Sequence, residues 1–308
     1  MAHNPFGLPL APKVKFSEND QLLDLGDGLW NVTTDLGSYK LYVADPQSQQ
    51  VGFLGTLREN DRPVGIALRL KIDNRKISEI ETLVFRAGGG PPPGGRGGRG
   101  GPPAPNTPPP PPPPPTGAAA LEAMGPDPVF LETVPPNQRV SRDELIKTAD
   151  SYFDALEKGD GKVAAFDPEC NRVENGARVT NNNAPGRGSP NAPAINTAAL
   201  GCADQISTKA FSYYQTIYPR RFPVVDEERQ LVFGFFMHQQ PGDLLSIESP
   251  GRGTYKFPDN VTQPSFTEVA ELFRIKSGKI RKMEALTLNV PYGTPDPFFK
   301  DDWRRSAK

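Results

Sequence analysis

The C-terminal half of the chain contains four residues whose side chains could carry out acid–base chemistry: Tyr152, Glu174, His238 and Glu271. Glu271 is the clearest case, because strand alternation places it on the same side as Val269 and Phe273. A carboxyl group buried among apolar side chains has a raised pKa, which makes it a better base or a neutral acid. Proton removal from a carbon next to a carbonyl needs such groups, together with a donor for the enolate oxygen. The residue types therefore predict proton transfer on a small carbonyl-containing or aromatic molecule.

Each of these residues also has a structural interpretation. Tyr152 lies on an apolar helical stripe and fits a core tyrosine with a satisfied hydroxyl. Glu174 precedes the turn dipeptide Asn175-Gly176 and fits a solvated strand end. His238 follows the large apolar residues 233–237, where a lone histidine fits a structural role as well as a cavity acid or base. Both interpretations stay open at the level of sequence.

A helix beginning after Ser141 is expected to position Tyr152. Ser141 and Glu144 form a capping box, which satisfies free amide groups of the first turn. An apolar stripe then recurs at helical spacing, at Leu145, Ala149, Tyr152, Phe153 and Leu156. The sequence 159–161, Gly-Asp-Gly, ends the helix because glycine accepts a left-handed conformation at low cost.

Strands and a second helix are expected to follow. The pattern predicts a strand over 170–174, a helix over 204–218 that ends at Pro219, and two late antiparallel hairpins. One hairpin turn is predicted to be a solvated, salt-bridged cluster of Arg220, Arg221, Asp226, Glu227 and Glu228.

Composition shifts divide the chain into three parts. Residues 1–87 alternate as an antiparallel meander, with short strands predicted at 22–25 and 30–32 and no helix. Residues 88–127 form a Gly/Pro-rich, disordered linker with a polyproline rod, and residues 128–308 form a second domain whose C-terminal tail is irregular and anchored by Trp303. Arg96 and Arg99 of the linker resemble RNA-contacting segments, but they are too few and lack interleaved aromatic residues, so a spacer is favoured.

Charge, hydropathy and cysteine content argue against nucleic-acid binding, membrane spanning and a Cys/His metal site. The formal net charge of −1 gives no general attraction to nucleic acid or an anionic membrane, and no apolar run reaches membrane-spanning length. Two cysteines and two histidines are too few for a Cys/His metal cluster, so no metal and no cofactor are expected. Cys170 and Cys202 are interpreted as a disulfide, with two reduced thiols as the alternative. A disulfide predicts an extracellular or periplasmic location, although the N-terminus lacks a signal peptide.

The two halves also repeat each other. Residues 39–55 match 220–236 in pattern, and residues 64–84 match 268–288. Setting Glu81 opposite Glu284 in these matched stretches favours a shared structural role for both. The same pairing places Leu68 opposite Glu271, so the first half retains only Glu18 as a candidate acid and is expected to have a structural or dimer-forming role.

Three stretches carry a family resemblance: SYFDALEKGDG, FDPECNRVENG and AELFRIKSGKIRKMEA. Together with RRFPVVDEERQLVFGFF, they resemble the SnoaL-like, ketosteroid-isomerase-like branch of the cone fold shared with nuclear transport factor 2. The resemblance covers 141–290 well and 13–86 in part. It implies an α+β fold of two cystatin-like cones, each a curved antiparallel sheet around helices, with the leading helix of the first cone missing.

The resemblance also implies residue roles. Tyr152 matches a tyrosine that donates to a developing oxyanion, Glu174 matches the carboxylate base, and Glu271 matches a protonated carboxylic acid at the oxyanion, with His238 as an auxiliary group. Both carboxylates are aspartates in ketosteroid isomerases, which alters their reach by one methylene. The implied function is a cofactor-free lyase, isomerase or cyclase acting on a small-molecule ligand; the alternative is a non-catalytic binding or assembly module. Pairing of such cones through their sheets leaves room for a homodimer.

Overall fold

The computed structural model describes residues 3–86, 115–183 and 196–299 as two six-stranded sheets with few helices. The four α-helices are α1 Leu29–Val32, α2 Ala118–Met124, α3 Arg142–Lys158 and α4 Cys202–Ser207. The strands of the first sheet are β1 Leu10–Glu18, β2 Gln21–Leu22, β3 Thr33–Asp45, β4 Gln50–Glu59, β5 Arg62–Asp73 and β6 Lys76–Phe85. Those of the second sheet are β7 Phe166–Glu174, β8 Ala177–Arg178, β9 Thr216–Asp226, β10 Leu231–Gln240, β13 Ser265–Lys276 and β14 Lys279–Pro291. A separate hairpin is formed by β11 Ser246–Ser249 and β12 Gly253–Lys256.

The second sheet packs around α3, as the sequence predicts. Its strand order is β8-β7-β14-β13-β10-β9, and α3 contacts β9, β10, β13 and β14. The Ser141 hydroxyl accepts a hydrogen bond from the Glu144 amide at 3.3 Å, and Gly159 ends the helix with a φ of 59°. Phe153, at the centre of the buried stripe, packs its ring 4.2 Å from that of Phe236. The face of the sheet toward α3 is called the inner face below.

The first sheet has the same strand order as the second, β2-β1-β6-β5-β4-β3, and each sheet has one parallel pair, β1 with β6 and β7 with β14. In residues 3–86 no helix is longer than the single turn of α1, so a leading helix is missing as predicted. The predicted α+β fold class with two such sheets is confirmed.

The two sheets pack against each other and form one hydrophobic core. In each sheet, the face in this core is called the outer face and the opposite one the inner face. Leu41, Leu54 and Leu83 enter this core from the first sheet, and Phe233 and Leu272 enter it from the second. Their contact is close: a Cβ atom on residue 52 would lie 2.5 Å from the Phe233 ring, so only glycine fits there. The two halves are therefore held together by a shared core.

Polar pairs also cross this interface. The Tyr39 hydroxyl of the first sheet donates to Glu284 Oε1, a hydrogen bond in which both side chains are buried. Arg221 of the second sheet forms an ion pair with Glu81 of the first. Glu81 and Glu284, which the sequence alignment pairs, thus both lie in the interface between the sheets.

Several local predictions were wrong. The strand expected over 22–25 is only the two-residue β2, Gln21–Leu22, and the expected antiparallel meander contains the parallel pair β1 and β6. The helix expected over 204–218 ends at Ser207, because Lys209 has a φ of 63°, and the cis Tyr218–Pro219 bond lies inside β9. Residues 30–32 are helical in α1, where the Thr33 hydroxyl bonds the Leu29 carbonyl at 2.6 Å.

The predicted linker also extends too far, since Leu121 of α2 is fully buried in the shared core. Arg220 and Arg221 do not join the turn cluster, because Arg220 turns toward α3 and Arg221 toward the first sheet; only Asp226 pairs locally, with Arg229. The polyproline rod, Arg96, Arg99 and Trp303 lie outside the described residues.

The predicted disulfide between Cys170 and Cys202 is present, with the two Cα atoms 6.0 Å apart. It ties the first residue of α4 to β7 and lies in the core between α3 and the second sheet. No helix in the described parts of the chain has the length and apolar character needed to cross a membrane.

Candidate functional site

A small cavity of about 60 Å³ lies between α3 and the inner face of the second sheet. All four residues singled out from the sequence line it, together with Arg172 and two further tyrosines. Its full lining is Tyr152, Leu156, Arg172, Glu174, Phe211, Tyr213, Tyr214, His238, Val269, Glu271, Ala285 and Thr287. The structure therefore brings the two glutamates, the tyrosine and the histidine to one place.

Strand alternation explains why these side chains meet. On β13, Glu271 points to the inner face, as do Val269 and Phe273, while the intervening residues enter the core between the sheets. On β7, Arg172 and Glu174 are two residues apart and therefore share the inner face. His238 lies on β10 opposite Thr267 of β13. α3 supplies Tyr152 from the other side of the cavity.

Arg172 is the functional candidate that the sequence argument missed. It is buried and forms an ion pair with Glu174, and its Nη1 donates to Gln205 Oε1 at 2.5 Å. Its guanidinium lies 5.4 Å from the centre of the Tyr152 ring and 5.5 Å from that of Phe211, within cation–π range. The sequence contains a pattern that identifies Arg172: it lies two residues from Glu174 in β7, so both side chains are on one face of the strand.

Glu271 has the electrostatic surroundings of a neutral acid. Burial raises the pKa of Glu271 to about 8, with a smaller upward contribution from the Glu174 carboxylate, while Arg172 opposes both. Glu271 therefore keeps its proton at neutral pH and can donate a hydrogen bond.

The three tyrosines and the histidine of the cavity are neutral as well. Burial raises the pKa of Tyr152 well above its ordinary value, and burial also raises the pKa values of Tyr213 and Tyr214, so their hydroxyls stay protonated. Burial lowers the pKa of His238 to about 3, with Arg172 and Arg220 adding to the effect. The imidazole is thus uncharged at neutral pH.

Two nitrogens of the site lack partners. Within the described part of the chain, neither Arg172 Nε nor His238 Nε2 has a hydrogen-bond partner, although both atoms are buried. Leaving such groups unpaired costs about 1–3 kcal/mol each, so a ligand oxygen that pairs with either nitrogen gains favourable free energy. The site thus combines one ion pair, several neutral donors and unused polar atoms.

Among the described residues, the acidic or histidine side chains close enough to share a metal ion are Asp20, Glu81 and Asp296, which do not line this cavity. Glu81 lies on the far side of the second sheet, in the interface with the first. The cavity's own groups therefore suit hydrogen bonding and proton transfer.

The inner face of the first sheet carries a different surface. An open groove of about 300 Å³ runs along it, lined mainly by apolar side chains such as Trp30, Leu57 and Ile66. Glu18, the candidate acid of the first half, lines this groove. Its carboxylate, however, accepts a hydrogen bond from the Leu29 amide at 2.7 Å and forms an ion pair with Arg86. The first half thus lacks the polar constellation of the second.

Comparison with known proteins adds a family match and two fold likenesses. The model of a domain of unknown function, DUF8021, matches residues 138–287, the segment that contains the cavity. A protein of unknown function with a cystatin-like fold from Methylobium petroleophilum PM1 is 15% identical, with a TM-score of 0.30, covering 55% of this chain and 93% of that one. AusH from Aspergillus nidulans is 16% identical, with a TM-score of 0.27, covering 53% of this chain and 90% of that one. No curated protein matches the chain.

Proposed function

We propose that the C-terminal half is a cofactor-free lyase, isomerase or cyclase that moves a proton on a small carbonyl-containing molecule. The observation that carries the proposal is the shared lining of one buried cavity by Glu174, Glu271, Tyr152 and His238. An ionised carboxylate beside protonated donors is the arrangement that enolate chemistry requires.

In the proposed step, a carboxylate oxygen of Glu174 takes the proton from the carbon next to the substrate carbonyl. The electron pair of that C–H bond forms the enolate, whose oxygen accepts hydrogen bonds from Tyr152 and from the protonated Glu271. Glu174 then returns the proton to another atom of the same molecule, which completes an isomerisation, or expulsion of a leaving group completes a lyase reaction. Arg172 is a positioning residue, because its ion pair with Glu174 fixes the carboxylate.

The size of the cavity limits the part of the substrate that enters. A volume of about 60 Å³ corresponds to roughly two water molecules. That space holds a carbonyl group and the carbon next to it, so the remainder of the substrate lies toward the mouth of the cavity. The site therefore acts on one end of a molecule.

The test measures proton exchange, which needs no knowledge of the natural product. The protein is incubated in D₂O with a panel of small 1,3-dicarbonyl compounds, and loss of the α-proton signal is followed by NMR. Wild type is expected to accelerate exchange for at least one compound, and Glu174→Gln to abolish the acceleration while the thermal midpoint barely moves.

Glu169→Gln is the matched control, since Glu169 lies on the same strand with 71% of its side chain exposed. It should exchange as wild type does. Equal exchange rates in Glu174→Gln and wild type would refute the role of this carboxylate.

A second candidate is non-catalytic binding of an apolar small molecule in the first half. The groove of about 300 Å³ favours it, because apolar side chains line it and Trp30 lies at its wall. Binding there should quench or shift Trp30 fluorescence, and Leu68→Asp should remove that signal without changing proton exchange in the second half.

We also propose a family, a repeat organisation and a cellular compartment for the chain. Membership of the SnoaL-like branch, and the interpretation of the halves as tandem copies of one unit, are supported by the shared strand order of the two sheets. The disulfide supports maturation in an oxidising, extracellular or periplasmic compartment. A homodimer would need surfaces other than the outer sheet faces, because those pack against each other within one chain.

A further inference from the structure

A second polar cluster lies on the opposite side of the second sheet, between the two halves. Its carboxyl groups come from four separate segments: Asp20 after β1, Glu81 of β6, Glu268 of β13 and Asp296 after β14. Oxygen atoms of Asp20, Glu81 and Asp296 all lie within 4.8 Å of one another. Close approach of buried carboxylates is unfavourable unless something neutralises them.

Two arginines neutralise part of this charge. Arg221 Nε contacts Asp296 Oδ2 at 2.6 Å and its Nη atoms bind Glu81, while Arg69 Nε contacts Glu81 Oε2 at 2.6 Å. Arg69 also pairs with Glu79, at the edge of the cluster. Four carboxyl groups thus face two guanidinium groups, so full ionisation of the four would leave two negative charges without a counterpart among these six residues.

Glu268 shows the deficit most directly. It is 3% exposed, and its Oε2 has no hydrogen-bond partner within the described residues. Because β13 alternates, Glu268 points to the outer face, away from Glu271 and toward the first sheet. The carboxylates of Asp20, Glu81 and Asp296 act on it electrostatically, and the Arg221 guanidinium opposes them.

We propose that Asp20, Glu81 and Asp296 bind one Ca²⁺ ion between the two halves, next to the unpartnered carboxyl group of Glu268. The ion supplies the two positive charges that Arg69 and Arg221 leave unmatched. Ca²⁺ binds oxygen ligands at 2.3–2.6 Å, so two ligands of one ion lie at most about 5 Å apart, which the separations within 4.8 Å satisfy.

The ligand chemistry selects the ion. All three donors are carboxylates, the hard oxygen ligands of Ca²⁺ and Mg²⁺, whereas Zn²⁺ and Cu²⁺ prefer the histidine and cysteine ligands that this cluster lacks. Several carboxylates in one all-protein site suit Ca²⁺, because Mg²⁺ keeps most of its water ligands. The sequence argument against a metal concerned only cysteine and histidine, and four residues so far apart in the chain form no recognisable motif.

Protons are the competing means of neutralisation. Burial, then the neighbouring acids, raise the pKa of Asp20 and of Glu268. A bound cation and a bound proton exclude each other at these oxygens.

An ion bound at this cluster would link the two halves of the chain. Asp20 and Glu81 belong to the first half, whereas Glu268 and Asp296 belong to the second half and the segment after it. Ca²⁺ would therefore stabilise the association of the halves and the position of the segment around Asp296, where Phe298 stacks 4.7 Å from the Arg69 guanidinium.

The test uses the full chain, treated with EDTA and exchanged into metal-free buffer at pH 7.5. Calorimetric titration with CaCl₂ should give one ion per chain, and the thermal midpoint should rise with Ca²⁺ and fall again on addition of EDTA. MgCl₂ should bind more weakly. Glu268→Gln, which has the shape of the protonated residue, should weaken Ca²⁺ binding by roughly tenfold or more.

Glu79→Gln is the control, because Glu79 contacts Arg69 but lies outside the cluster. It should bind Ca²⁺ as wild type does. The proposal is overturned if wild type shows neither heat nor a midpoint shift with CaCl₂, or if Glu268→Gln and Asp20→Asn both bind Ca²⁺ with wild-type affinity. Should a variant fail to fold, the wild-type titration alone still decides.

Discussion

Replacing Glu271 with glutamine should make the protein more stable, and increasingly so as the pH rises. Glu271 is 2% exposed and lines the cavity with Glu174, and burial raises its pKa to about 8 from an ordinary value of 4.5. Glutamine has the same shape and a donor in place of the acid proton, so it reproduces the protonated form without the possibility of ionising.

The magnitude follows from proton linkage. In the unfolded chain the carboxyl group loses its proton above about pH 4.5, whereas the folded protein retains it up to about pH 8. The folded state is therefore destabilised relative to the unfolded state as the pH rises through this window, and is unaffected below it. At 1.36 kcal/mol per pKa unit, the free energy of unfolding of Glu271→Gln should gain about 3–4 kcal/mol on wild type between pH 5 and pH 8.

The assay is urea unfolding of wild type and Glu271→Gln at several pH values between 5 and 8. Other buried acids also titrate, so the quantity of interest is the difference between the two proteins at each pH. Glu169→Gln, an exposed change on β7, should track wild type throughout. A difference between wild type and Glu271→Gln that stays constant across the pH range would refute the assignment of a protonated acid in the cavity.

Two further changes test the packing. Replacing Cys170 and Cys202 by serine should lower the free energy of unfolding by about 3–4 kcal/mol, because the disulfide closes a loop of 32 residues. Urea unfolding measures this, and an equal midpoint for wild type and variant under oxidising conditions would contradict it. Tyr39→Phe should cost about 1–3 kcal/mol, since it removes the donor to the buried Glu284. Denaturation at pH 7 measures the loss, and Tyr42→Phe on the exposed side of β3 is the control, expected to behave as wild type.

The sequence predicts best where one strand or helix decides the outcome. Ser141 and Gly159 bound α3 as their capping chemistry requires. The alternation of β13 alone places Glu271 on the same face as Val269, in the cavity. In both cases the residues concerned are neighbours along the chain, so a local rule suffices.

The sequence predicts poorly where separate segments meet. Apolar residues do recur at helical spacing over 204–218, yet Tyr213 and Tyr214 line the cavity from a segment that is not helical. Asp20 and Asp296 come together because two sheets pack face to face, and no local rule relates residues so distant. Arg172 fits a solvated strand face by sequence, because its burial depends on α3 and α4, which supply Tyr152 and Gln205.

The shared core has a consequence for how the protein is made. All six strands of the first sheet precede residue 86, whereas most strands that pack on its outer face, β9, β10, β13 and β14, begin at Thr216 or later. A nascent chain therefore presents Leu41, Leu54 and Leu83 to water while more than a hundred residues are still to be translated. The second sheet closes later still, because β7 pairs with β14, which leaves the ribosome after every other strand in the described residues. Chaperone binding to ribosome-bound chains should thus concentrate on the apolar side of the early sheet and cease once β14 has emerged.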